Sequence, residues 1–142
     1  MDTEEQHHKY IMYLFLNSKD TNYPSNTSWD FTIHLSYRAY STEGVWECAL
    51  TELWVKAPNK LNEELFVYVD FITDASLVNG QNRNLIRIVR TNGELANPYY
   101  MPVRSTYGTQ SVRVYIRSKN GSRPSLECEE VSCVLHLRRR EE

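Results

Sequence analysis

The stretch LFLNSKDTNYPSNTSWDFTIHL, residues 14–35, contains two alternating apolar segments on either side of a polar middle. In the second segment Phe31, Ile33 and Leu35 share one face of a predicted strand, and polar residues occupy the other face. This period of two residues is typical of a half-buried β-strand. The stretch therefore predicts strand, turn and strand, and it leaves open whether the loop connects, binds or catalyses. The middle is dense in turn-forming residues, namely Asn17, Ser18, Asp20, Asn22, Pro24, Ser25 and Asn26.

The same alternation recurs along the chain and predicts eight strands, whereas no segment sustains the 3.6-residue period of a helix. Asn-Gly pairs, which suit tight turns, fall between predicted strands at Asn79, Asn92 and Asn120. We therefore expect an all-β fold, a single eight-stranded jelly-roll β-sandwich that forms one domain over residues 1–142, with residues 1–8 as a mobile N-terminus. The predicted strands are residues 9–16, 29–35, 45–55, 65–72, 84–90, 99–104, 111–117 and 131–138.

Composition narrows the classes of function. The chain has a net charge of −2, and this disfavours a protein that wraps duplex DNA, since phosphate binding needs a basic surface. The three cysteines are an odd number, so we expect free thiols in a reducing compartment rather than a disulfide framework. No signal peptide and no apolar run of 18 residues is visible. The sequence therefore predicts a protein that is neither secreted nor inserted in a membrane.

Motifs of enzymes are missing from the sequence. It has no phosphate-binding glycine loop and no nucleophile elbow. Neighbouring glutamates on a strand point to opposite faces, so they make poor acid–base pairs. His34 and His136 would form a metal pair only if their strands were neighbours. We therefore expect no enzyme activity, no metal and no cofactor.

Basic residues form two weak signals for an acidic partner. Arg138, Arg139 and Arg140 end the last predicted strand, where they could contact nucleic acid or an acidic protein, or simply be solvated. Arginine and tyrosine interleave over residues 113–117. In a chain that is not basic overall, this is a weak indication of nucleic-acid binding, so we expect nucleic acid to be at most an incidental partner.

The first predicted strand is apolar on both faces. Tyr10 and Met12 lie on one face of the strand, and Tyr13 lies with other apolar residues on the opposite face. Either both faces are covered within the subunit, or one face packs against another subunit. Tyrosine-rich apolar faces favour protein interfaces. We therefore predict a homo-oligomer with Tyr10, Met12, Tyr13 and Tyr115 as candidate interface residues.

Three blocks of the sequence carry a family resemblance: LNS followed by YPSNTSWDFTIHL at residues 16–18 and 23–35, EGVWECALTEL at residues 43–53, and VRVYIRSKNGSRPSLECEEVSCVLHLRRR at residues 112–140. The chain resembles the single jelly-roll penton or minor capsid proteins of Maverick/Polinton elements and adintoviruses. Cys48 stands where the family usually has valine, and Pro58 is displaced from the family's tyrosine–proline pair. The structural motif residues carried over are Tyr23, Pro24, Asn26, Phe31, Trp46 and Leu50.

The resemblance implies a structural role. It implies a pentamer at icosahedral vertices of a virion capsid, beside a double jelly-roll major capsid protein, assembled in the host cytoplasm or nucleus. Two alternatives stay open from the residues. One is a β-sandwich module, with a trimer as one form of it, that binds a receptor or glycan through Tyr99, Tyr100 and Tyr107. The other is a metal-dependent jelly-roll enzyme, which the scattered histidines disfavour.

Overall fold

The computed structural model describes residues 11–20, 23–35, 45–104 and 111–140. The described part is all-β, as the sequence predicts, and it contains no helix. The predicted mobile N-terminus, residues 1–8, lies outside the described residues. Eleven strands, rather than the predicted eight, are present in the described part: β1 (Ile11–Asn17), β2 (Asp30–His34), β3 (Val45–Lys56), β4 (Leu65–Val69), β5 (Ser76–Val78), β6 (Gln81–Arg83), β7 (Leu85–Val89), β8 (Gly93–Glu94), β9 (Met101–Pro102), β10 (Ser111–Arg117) and β11 (Glu130–Arg140).

The strands form two main antiparallel sheets and a small hairpin. Sheet A has the order β1-β11-β3-β8, and β9 also pairs with β3. Sheet B has the order β2-β10-β4-β7. The hairpin pairs β5 with β6 across the Asn79–Gly80 turn, where both residues have a positive φ (50° and 81°). That conformation is the one a tight two-residue hairpin turn requires.

The two sheets bury one shared core, which makes the fold a sandwich. Phe31 of β2 and Val114 of β10 face Leu50 of β3 and Leu135 of β11, and all four side chains are fully buried in one apolar cluster. Burying a side chain of this size stabilises the fold by about 1.5–3 kcal/mol. Trp46 lies in the same cluster. The motif residues Phe31, Trp46 and Leu50 are therefore core residues.

The opening loop, residues 18–29, carries the chain from sheet A to sheet B. The backbone N–H of Asn26 donates to the carbonyl of Tyr23 at 3.1 Å, which closes a turn with exposed Pro24 at its second position. The Asn26 side chain then pairs with the backbone of Thr32, accepting from its N–H at 2.8 Å and donating to its carbonyl at 2.9 Å. Since β2 is the edge strand of sheet B, Asn26 occupies backbone groups that have no neighbouring strand. The described loop is thus a strand connection with a packing role.

We expect Asn26→Ala to lower the free energy of unfolding by about 1–3 kcal/mol, because it leaves two backbone groups of Thr32 without a protein partner. Urea denaturation followed by circular dichroism measures the change. The control is Ser25→Ala, an exposed residue of the same turn, for which we expect a change below about 0.5 kcal/mol. Equal unfolding midpoints for the two variants would show that the Asn26 clamp does not stabilise the fold.

Candidate assembly surface

The outer surface of sheet A is rich in exposed aromatic residues. Strand alternation turns Leu14 and Leu16 of β1 into the core and leaves Tyr13 and Phe15 outside, 52% and 76% exposed. On the same side of the sheet, Trp54 of β3 is 50% exposed. Four of the six large hydrophobic residues that are exposed in the described part belong to strands of sheet A, and none belongs to sheet B. We call the surface formed by Tyr13, Phe15, Trp54, Tyr100 and His136 the aromatic face.

Half of the aromatic face is held rigid by contacts to His136. The Tyr13 ring stacks on the imidazole with centroids 4.5 Å apart, and Tyr100 meets it edge-on at 5.7 Å. The Tyr100 hydroxyl lies 2.7 Å from His136 Nδ1. The Arg138 guanidinium stacks on the Tyr100 ring, with its central carbon 3.4 Å from the ring centroid. Arg138 Nε donates to Glu47 Oε1 at 2.6 Å. These contacts join β1, β11, β3 and the segment before β9 into one ordered surface.

His136 is held in its neutral form. Burial lowers its pKa from the ordinary 6.5, and repulsion from Arg138 lowers it further. Its Nε2 is buried without a hydrogen-bond partner among the described residues. The groups that face the imidazole are Tyr13, Tyr100 and Arg138, with Glu47 behind the arginine. A proton on His136 therefore adds a charge that is poorly solvated and next to a cation.

The His136 contacts predict a specific pH dependence of stability. Because the folded pKa is below the unfolded value of 6.5, the unfolded chain takes up the proton first as the pH falls. The contribution of neutral His136 to the free energy of unfolding is thus fully present above pH 6.5 and is lost as the pH falls below that value. We expect His136→Gln to lose less unfolding free energy than the wild type between pH 7.5 and pH 5.5, measured by urea denaturation. His34→Gln is the control, since it removes an exposed histidine of sheet B; an equal loss in H136Q and wild type would contradict the assignment.

The other half of the aromatic face combines apolar side chains with acids. Trp54 Nε1 donates to Glu52 Oε1 at 3.1 Å. The indole also lies over Gly93, where an added Cβ would come within 3.2 Å of the ring, so the glycine leaves room for it. Glu52 is directly opposite Glu94 in the β3–β8 pair. This half of the face is therefore apolar and negatively charged.

The outer surface of sheet B has a different character, and we call it the basic face. Arg113 donates to both oxygens of Asp30, at 3.0 and 2.8 Å, and Arg117 lies 3.8 Å from the same carboxylate. The Arg113 hydrogen bond, which outweighs the cost of burial, lowers the pKa of Asp30. Tyr115 stacks on Tyr68 with centroids 4.9 Å apart. Its hydroxyl donates to Asn84 at 2.8 Å, so this predicted interface residue is part of a polar network.

The remaining candidate interface and basic residues fall in different places. Met12 packs against the core and lies outside the aromatic face, and Tyr10 lies outside the described residues. Arg138 is engaged by Tyr100 and Glu47. Arg139 is half-buried opposite Trp46, and Arg140 ends β11 opposite Val45. Strand pairing thus ties the arginine run to sheet A.

The condition for a His34–His136 metal pair is not met. His34 belongs to β2 in sheet B and His136 to β11 in sheet A, so their strands are not neighbours. Within the described ranges, no group of three or more His, Cys, Asp or Glu residues is arranged to hold a metal ion. Cys48 and Cys133 are free thiols in the core, and burial raises the pKa of Cys133 to about 12. Thiols held in this state are poor nucleophiles.

The tyrosines considered for a binding module do not converge on one concave site in the described part. Tyr99 is 61% exposed beneath the Arg87 guanidinium, at 4.9 Å, whereas Tyr100 belongs to the aromatic face. Tyr107 lies outside the described residues. An open depression of about 480 Å³ is lined by other residues, among them Trp29 and Leu126.

Two further findings bear on the class of protein. No helix in the described ranges has the length and apolar character needed to span a membrane. No protein-family model and no curated protein matches this sequence.

Proposed function

We propose that this protein is a structural capsid subunit, a single jelly roll that self-assembles as a pentamer at icosahedral vertices. The observation that carries the proposal is the aromatic face, an ordered apolar surface on one side of the sandwich. Contiguous exposed apolar surface of this kind marks protein interaction sites. Aromatic residues are also enriched at the centre of protein interfaces.

The strand order supports the jelly-roll part of the proposal. The β5–β6 hairpin lies outside both sheets, and β8 and β9 pair with successive parts of β3, as two pieces of one interrupted strand. Counted this way, the described strands form two four-stranded antiparallel sheets. The chain passes from β1 in sheet A to β2 in sheet B and back to β3, and it ends with β10 in sheet B and β11 in sheet A. Such crossing between two sheets is typical of the paired Greek keys of a jelly roll.

The resemblance to the Maverick/Polinton and adintovirus penton proteins supports the pentamer and its location. A ring closes when each subunit uses two different surfaces and the rotation between neighbours divides the circle. In the proposed virion the pentamer would meet a double jelly-roll major capsid protein around each vertex. The subunit's role is geometric, and it needs no reactive group.

Electron microscopy of the purified full chain tests this proposal. We expect ring-shaped particles whose class averages have five-fold symmetry. Three-fold particles would instead favour the binding-module alternative, for which exposed Tyr99 would be the first residue to test. Single particles of one-subunit size at micromolar concentration would contradict self-assembly altogether.

A further inference from the structure

The two outer faces of the sandwich carry opposite charges. On the aromatic face, Glu52 and Glu94 form no ion pair with any described lysine or arginine, whereas Glu130 lies opposite Lys56. Glu52 and Glu94 are direct cross-strand neighbours, and like charges in that position repel each other. This half of the face would therefore be stabilised by cations supplied from outside the subunit.

The basic face has the complementary excess. Arg113 and Arg117 share the single carboxylate of Asp30. Arg83 lies 5.1 Å over the Tyr68 ring, and no described carboxylate pairs with it. Asp70, the other acid here, is partly buried and accepts the backbone N–H of Arg113. The cations on this face therefore exceed the carboxylates.

The β5–β6 hairpin adds an apolar projection beside the basic face. Its Leu77 is 71% exposed, and Arg83 at its base packs on Tyr68 of sheet B. At the turn, Asn79 approaches the Lys119 carbonyl at 3.5 Å, which holds the hairpin against the loop after β10. An isolated leucine on a held hairpin is suited to insert between exposed aromatic rings such as Phe15 and Trp54.

We propose that the basic face of one subunit, with its hairpin, docks on the aromatic face of a second copy of this chain. This inference rests on the proposed self-assembly and names the two surfaces that meet. The arginines would approach Glu52 and Glu94, and Leu77 would contact the exposed rings. Two aromatic faces docked on each other would instead bring four uncompensated glutamates together, Glu52 and Glu94 of each subunit. The contact is therefore between unlike faces, and such a contact closes into a ring when the rotation between neighbours divides the circle.

The test uses two sets of charge reversals in the full chain. The first set, Glu52→Lys with Glu94→Lys, replaces the negative charges of the aromatic face with positive ones. The second set, Leu77→Glu with Arg83→Glu, places negative charges on the β5–β6 hairpin beside the basic face. We expect each set alone to raise the concentration needed for assembly at least tenfold. We expect the two variant proteins, mixed in equal amounts, to form heterodimers, because the wild-type basic face of the first variant meets the wild-type aromatic face of the second. Ring assembly should return when all four changes are combined in one chain, because every contact then pairs reversed charges.

Matched controls are Lys60→Glu and Glu127→Lys, exposed residues outside both faces, and thermal melting verifies that each variant is folded. Light scattering at increasing concentration gives the assembly state. Normal assembly of the hairpin variant, with loss only in the aromatic-face variant, would overturn the docking of unlike faces and leave the proposed function in place. Absence of heterodimers in the mixture, or failure of the folded four-change variant to assemble, would also overturn it. A wild-type protein that stays monomeric would contradict both proposals.

Discussion

Phe31→Ala is expected to lower the free energy of unfolding by about 3–5 kcal/mol, the range for removing a buried aromatic ring. The Phe31 ring is 0% exposed and lies between the inner faces of the two sheets, so its loss leaves a cavity that the strands cannot fill. Small domains are stable by about 5–15 kcal/mol, and the variant would therefore be close to unfolding at room temperature. Guanidinium denaturation followed by circular dichroism measures the change.

The control for this prediction is the same substitution at a phenylalanine on the outer surface of the sandwich. Phe15 is also a strand phenylalanine, but it is 76% exposed on the aromatic face. We expect Phe15→Ala to change the free energy of unfolding by less than about 0.5 kcal/mol, as for most surface positions. Similar losses in the two variants would contradict the assignment of inner and outer faces.

Phe15→Ser combined with Trp54→Ser is expected to abolish assembly and leave the subunit folded. Truncation of an aromatic residue at the centre of an interface typically costs about 2 kcal/mol or more. That amounts to roughly 30-fold in affinity for each residue. Sedimentation velocity at a concentration where the wild type is assembled should therefore show only monomer.

Tyr99→Ser provides the matched control for assembly. Tyr99 is 61% exposed, but it lies outside the strands of sheet A. We expect this variant to assemble like the wild type. Loss of assembly in Tyr99→Ser, with normal assembly of the Phe15 and Trp54 double variant, would move the interface away from the aromatic face.

Alternation of apolar residues was enough to predict the long strands. β10, Ser111–Arg117, has the predicted bounds, and β3, Val45–Lys56, is one residue longer than predicted. The short strands β5, β6 and β8 were missed. Gln81–Arg83 contains no β-branched or aromatic residue, so it has no strand signal of its own. These strands depend on their pairing partners, which local sequence does not specify.

The predicted strand over residues 65–72 ends early for a related reason. β4 stops at Val69, Phe71 follows in a turn and Ile72 forms an isolated β-bridge with Val103, and both side chains are buried in the core. An apolar run that is fully buried does not distinguish a strand from a packed turn. The apolar character of both faces of this segment therefore reports burial rather than strand length.

The aromatic face could be only half predicted. The apolar excess of β1 pointed to Tyr13, whereas strict alternation from Trp46, Cys48 and Leu50 would turn Trp54 inward. The β3–β11 pairing contains a bulge, at which Leu135 lies opposite Leu50 but Val134 lies opposite Glu52. Thr51 is therefore the extra residue of β3. The bulge reverses the phase of β3, so that Leu53 is buried and Trp54 is exposed. Tyr100 and His136 meet only through sheet pairing between distant segments.

The central claim, that this jelly-roll-like sandwich is a subunit that closes into a five-membered ring, is tested most directly by the absolute mass of the full chain in solution. Light scattering on a sizing column gives that mass at several protein concentrations. The subunit mass is 16.7 kDa, so five times 16.7 kDa predicts a species of 83.5 kDa. A mass that stays at 16.7 kDa up to the highest soluble concentration would contradict the claim.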